Sequence, residues 1–386
     1  MKKGIAIIFA LFFLLVCIWI MLQSEKSKDK NYENNDEYVL IKDALNREVW
    51  VKRNPDKIIV QASASGGAFM TIAALKGENF LDYIVGIDDF FRTSRHDFYE
   101  YFCKYFPEMQ EIVEVGTITA GTFSVEQAVS LGADVVIVPS NYYEIAHGDI
   151  EQRLEEVDIP IVYIDYHSQD VEQHIESTRV LGKLLDEEEK AEELIEFYLY
   201  QVSIVYDRLR ENKLEKPTVY VEVGKYGPND YFNTFGDYMW GRLVEQAGGV
   251  NVMRDITTDT AIASSEWIIQ RDPDIILIIG SYWTEYSDSM KIGFDTSKEE
   301  ALERLGGYLE RDGWNELVAV KNKKVYSLHH AMIREMYDFV SLQQLAKIYY
   351  PEIFVDVFPE DNLKEYFETY LPVPYSGVWR VGLDEK

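Results

Sequence analysis

Cysteine is almost absent from this chain, which carries two, Cys17 and Cys103, in 386 residues. Cys17 falls inside an apolar leader, so the remainder can form no internal disulfide and must rely on its core. Basic residues are scarce too: 38 Lys and Arg stand against 67 Asp and Glu, for a net charge of -29. Such a surface repels phosphate backbones and makes nucleic acid a poor partner. There is no GxGxxG or P-loop fingerprint, no HxxxH and no identifiable set of nucleophile, base and acid, which argues against catalysis. What is present is the composition of a folded protein, 47% hydrophobic and 27% charged, with length for two domains.

Lys2 and Lys3 precede an uncharged apolar run from Gly4 to Leu22, near the length that spans a bilayer core. Residues 1–22 therefore read as a signal anchor or signal peptide, with the positive charge inside and the rest of the chain outside. No small-x-small cleavage site follows, and Cys17 is preceded by Val16 rather than a small residue, which favours a retained anchor over lipid attachment. Residues 23–37 read as a polar stalk. The expected address is the outer face of the cytoplasmic membrane, periplasmic or cell-surface, anchored by the N-terminal helix or by lipid.

Beyond the stalk the chain echoes itself. Ser124-Val-Glu126 runs to Asp134 and into the apolar stretch Val135 to Val138; Ser264-Ser-Glu266 runs to Asp274 and into Ile275 to Ile279, with eight residues from Glu to Asp each time. A second echo pairs Val162 to His167 with Val325 to His330. Two echoes in the same order argue for a duplicated architecture. Between them lies Asp186 to Asn212, whose apolar positions Ala191, Leu194, Ile195, Tyr198, Val202, Val205 and Leu209 recur at helical spacing. Asp186 followed by Glu189 reads as a capping box at its start. The pattern predicts an α/β fold: two Rossmann-like lobes, 38–185 and 213–386, joined by one long linker helix, 186–212, with the ligand cleft between the lobes.

Ligands of parallel sheets gather beyond the carboxyl ends of the strands. In the first lobe this selects Ser65 in a small-residue loop, Arg92, Tyr142 and Tyr143 after Val138, and Tyr166 and His167 after Ile164. In the second it selects Tyr226 after Val223, then Tyr231 in a stretch with Asn233, Tyr238 and Trp240 that is rich in groups able to stack and hydrogen-bond. Tyr282 and Trp283 follow Ile279; His329, His330 and Arg334 follow Leu328. His167 and His330 end corresponding strands, so lobe symmetry could aim both into one cleft, where imidazole suits a metal such as iron. Arg92 and Arg334 are candidates to neutralise an anionic chelate. The crowded aromatics from Phe98 to Phe106 read as core.

Several segments together resemble the substrate-binding proteins of ABC importers for ferric complexes, haem and cobalamin, over roughly Val39 to Trp379. They are Lys42-Asp43 to Arg47, Val85-Gly-Ile-Asp88, the loop leading to Glu126, Ala247 to Asn251, Glu266 to Asp274, and Gly313-Trp314 leading to Ala319, Asn322 and Tyr326. The resemblance implies an extracytoplasmic binding component that captures an iron complex, siderophore-like, and delivers it to a permease with its ATPase. It implies that Glu126 and Glu266 dock onto that permease. Haem or cobalamin in the same role is the alternative ligand. No intrinsic cofactor and no catalysis are expected, and the chain is expected to be a monomer. The loop Thr117 to Thr122 lacks the arginine of the hydroxamate-siderophore branch. The competing class is a two-lobed Rossmann-like surface enzyme, such as a nucleotide-sugar transferase, whose site would also lie in an interlobe crevice.

Overall fold

The computed structural model describes residues 32, 35–61, 67–231, 233–294 and 296–385. The expected anchor over 1–22, most of the 23–37 stalk and Ser65 lie outside them. Among the described residues no helix is long and apolar enough to cross a membrane.

The first lobe opens with an antiparallel hairpin, β1 (Tyr38–Lys42) and β2 (Glu48–Lys52), whose turn is held by Asp43: its Oδ1 accepts from the N–H groups of Leu45 and Arg47. Then β3 (Ile58–Val60), β4 (Ile84–Ile87), β5 (Val113–Glu114), β6 (Val135–Pro139) and β7 (Ile161–Ile164) form a parallel sheet in the order β5-β4-β3-β6-β7. In the second lobe come β8 (Thr218–Val223), β9 (Asn233–Phe235), β10 (Val250–Asn251), β11 (Thr260–Ile262), β12 (Ile275–Ile279), β13 (Val325–Leu328) and β14 (Arg380–Gly382). Its main sheet has the order β10-β8-β12-β13-β14, parallel except for β14, while β9 and β11 pair as a separate ribbon. Every residue of β6 and β12 is buried, as expected of strands covered on both faces, and this is why they read as unbroken apolar runs.

The duplication is visible in the sheets. The run β4-β3-β6-β7 corresponds to β10-β8-β12-β13, so β6 and β12, which follow the two Glu-bearing segments, take the same place in each. Those segments form short helices of one design. Ser124 caps Val125–Leu131 by accepting from Gln127 N–H, and Ser264 caps Ser265–Arg271 by accepting from Trp267 N–H. Each ends on a left-handed residue, Gly132 or Asp272.

The long helix runs Glu188–Glu211 and buries Ala191, Leu194, Ile195, Tyr198, Val202 and Val205. Its start differs from the capping box expected of Asp186. That residue is left-handed, with φ of 57°, and its carboxylate binds Arg53, while Glu187 takes the cap position without a side-chain bond. Nor is the helix a bare rod between two bodies. Val205, Val60 of the first sheet and Val221 of the second belong to one continuous core.

A second junction joins the lobes through the helix His96–Tyr105. Asp97 Oδ2 accepts from Phe294 N–H at 3.1 Å, Tyr101 stacks on Phe294 at 4.1 Å, and Tyr101 OH donates to Pro374 O at 2.9 Å. Arg95 and Glu335 form an ion pair across the same seam, both buried. Gly293 permits this approach, because a Cβ there would lie 2.1 Å from Asp97 Oδ2. The aromatics expected to be core are thus partly interlobe packing, although Tyr105 stays exposed.

Candidate functional site

The carboxyl ends of β8, β12 and β13 open into a cavity of about 300 Å³, to whose lining the first lobe contributes Ser94. Lys225, Asn233, Tyr238, Trp283, His330 and Arg334 supply its polar and aromatic lining, and the β9–β11 ribbon contributes Phe235 and Thr260. Ser281 Oγ donates to Ser94 O at 3.1 Å and holds the two lobes together at the cavity edge.

Arg334 is the central charge. Its side chain is only 7% exposed. Burial, with help from Arg95, pushes its guanidinium down to about 10, while Tyr238, Glu335 and Tyr142 lie near enough to offset part of that effect. It stays cationic at neutral pH. His330 is half-buried, its Nδ1 accepting from Trp240 Nε1–H at 3.1 Å. Burial first, then Arg334, His329, Arg95 and His167, push its pKa well below the ordinary histidine value, so the ring is neutral.

Of the residues expected from strand ends, Trp283, His330 and Arg334 line the cavity. His167 is buried beside it, close enough for His330 and Arg334 to sense its charge, so the two strand-end histidines do share one neighbourhood. Tyr142 packs in the first lobe's core yet lies near enough to Arg334 to act on its charge. The others are turned elsewhere. Tyr166 is core: its hydroxyl lies 3.0 Å from both Thr71 Oγ1 and Thr178 Oγ1, and burial pushes it up to about 12. Arg92 pairs with Glu114 at 3.0 Å and covers the Tyr99 ring. Tyr143 stacks on His147, Tyr226 leans on Tyr286, and Tyr231 lies under Arg311. Tyr282 sits against His96 and beneath Lys291. His329 is fully buried between Asp97 and Trp379.

The expectation of direct metal ligation by His167 and His330 finds no completing set: among the described residues no group of three or more His, Cys, Asp or Glu converges on a metal-sized point. Asn233 and Tyr238 belong to the stretch around Tyr231 marked as rich in stacking and hydrogen-bonding groups, whereas Lys225 and Ser94 were not singled out. Lys225, two residues past the end of β8, is where the strand-end rule points; Ser94 carries no signal in the sequence.

Glu126 and Glu266 both stand in the first turn of their helices, exposed. Each carboxyl is lowered first by a hydrogen bond from its own backbone N–H, and Glu126 further by Arg153 at 2.6 Å.

A family profile described as periplasmic binding protein matches residues 62–332. The TroA-like periplasmic binding protein FepB from Veillonella parvula superposes with a TM-score of 0.85 at 38% identity, over 89% of this chain and 99% of that one. The uncharacterized ABC transporter substrate-binding lipoprotein YvrC of Bacillus subtilis is 22% identical over 320 residues, 82% of this chain and 87% of its own length. The molybdate-binding protein MolA of Haemophilus influenzae is 21% identical over 388 residues, 94% of this chain and 97% of its own.

Proposed function

This chain belongs to the periplasmic binding protein family, whose members are substrate-binding components of ABC transporters and not enzymes, and from that premise we propose that it captures an anionic iron chelate of siderophore type. The observation that carries the reading is a cationic cavity in an acidic protein. Arg334 and Lys225 face into it while the whole chain has a net charge of -29. Trp283 and Tyr238, in the same lining, offer flat apolar surface to organic ligand groups. At about 300 Å³ the cavity is small for a ligand pocket, which favours a compact chelate over a porphyrin or corrin. The absence of a converging ligand set among the described residues suits a metal that arrives already chelated.

Delivery requires a partner. In this reading Glu126 and Glu266, rigidly presented at two equivalent helix starts, dock onto arginines of a permease driven by its ATPase. In the same reading the N-terminal segment, as a helix or through lipid, holds the protein at the outer face of the cytoplasmic membrane. Reversing both charges should abolish uptake in cells while leaving ligand affinity intact; unchanged uptake would remove the docking role.

The ligand is tested by titrating the full chain, in mild detergent, with ferric citrate, ferric catecholate and hydroxamate siderophores, haem, cobalamin and molybdate, following tryptophan fluorescence. Saturable quenching by a ferric chelate is expected, reported by Trp283. Binding of haem or molybdate alone would replace the iron assignment, keeping the transport role.

A further inference from the structure

Trp240 does not line the cleft, yet it governs what His330 can offer there. The indole is fully buried on the helix Met239–Gln246, and its Nε1–H donates to His330 Nδ1 at 3.1 Å. An indole nitrogen can only donate, so the imidazole nitrogen that receives it carries a lone pair and no proton. The single proton of the neutral ring then lies on Nε2. Metal binding through Nε2 needs a lone pair on that atom. With Nδ1 already an acceptor, this would require an imidazolate. Histidines that ligate metals are wired the other way, their second nitrogen donating to a carboxylate or carbonyl.

We propose that Trp240 is a positioning residue that holds His330 as an Nε2–H donor, so that the cleft takes coordinatively saturated anions by their outer oxygens and does not bind bare metal ions through this histidine. The inference rests on the anionic-ligand reading above and sharpens it into a rule of selection. Three features of the site agree. Arg334 and Lys225 line the same cavity and provide the matching charge. The rings of Phe235 and Trp283 flank His330, at 6.4 and 6.3 Å, and give the site apolar walls. Nδ1 takes the Trp240 N–H, and among the described residues no carboxylate or backbone carbonyl is bonded to it in the way a ligating histidine would use.

The test reads the proton directly and needs no ligand. In the full chain labelled with nitrogen-15 at histidine, long-range proton–nitrogen spectra distinguish the two neutral tautomers, and comparison with H330Q assigns the His330 signals. The wild type should show His330 protonated at Nε2, and added Zn²⁺ should leave those signals in place. W240F keeps an aromatic ring in the pocket but removes the N–H; it should shift His330 toward the Nδ1–H tautomer and let Zn²⁺ perturb it. An Nδ1–H tautomer in the wild type, or Zn²⁺ shifting wild-type His330, would overturn the proposal, and neither result depends on W240F folding. If ferric citrate leaves His330 undisturbed while the Nε2–H tautomer stands, the iron-chelate reading fails and the tautomer assignment does not.

Discussion

Arg334 is the last residue of the short helical turn His330–Arg334 and brings a buried cation to the cavity wall. Removing it as Arg334→Met should weaken ferric chelate binding by roughly 10- to 100-fold, the worth of a charge-assisted hydrogen bond, with little change in fold. Lys225→Ala should cost less, roughly threefold to tenfold, and more at low salt, since its half-exposed charge is screened. Fluorescence titration at two ionic strengths checks both. At this scale the strand-end rule selected His330, Trp283 and Arg334, which line the cavity, but could not say which way a side chain turns. His329 and His330 are neighbours, and extended backbone sends neighbours to opposite sides: one is sealed against Asp97 and Trp379, the other faces the cleft. Tyr166 satisfies its hydroxyl on Thr71, 95 positions away, and on Thr178 of the following helix, contacts that no local pattern marks.

Among the elements, the long helix was legible because its seven apolar positions share one face, and six of them are buried. Its polar contacts were not. Tyr198 on this helix, His174 on the helix Val171–Leu184 and Asp338 at the start of Phe339–Tyr349 meet in one buried cluster, with His174 Nδ1 3.4 Å from Tyr198 OH and 3.3 Å from Asp338 Oδ2. The spacing is that of an ion pair, but burial pushes the Asp338 carboxyl up to about 8 and His174 down to about 4, so the pair is neutral at pH 7. A carboxyl whose folded pKa is raised contributes stability that is complete below its unfolded pKa and is lost as pH rises through the folded one. Asp338→Asn, which never ionises, should therefore melt several degrees above wild type at pH 8.5 and lose that advantage toward pH 4; thermal unfolding across that range decides it. The Arg95–Glu335 pair makes a different prediction. Arg95→Met leaves Glu335 buried without its partner and should destabilise by about 3–5 kcal/mol, whereas Arg95→Met with Glu335→Leu should recover most of the loss in urea unfolding.

For the whole molecule, the lobes are held at several places: the helix Glu188–Glu211 with its shared core, the seam from Arg95 to Phe294, Ser281 on Ser94, and Ser168 and Gln169 bonded to Arg242, Gln246 and Ile333. Opening the cleft widely would expose an ion pair and an aromatic stack at once. Ligand should therefore change the interlobe distance only slightly, and spin labels placed on the two lobes should report a shift of about an ångström or two, not a wide hinge closure. The helical and strand periodicities, the serine caps before Glu126 and Glu266, and the order of the echoed segments determined the α/β class, the duplicated sheets and the family, because these depend on local spacing that survives in a linear string. Which strand-end side chains meet, that Trp240 sets the proton on His330, and that the helix His96–Tyr105 clamps one lobe to the other were decided only by tertiary structure. Those contacts join residues up to two hundred or more positions apart, and their partners are chosen by packing rather than by pattern.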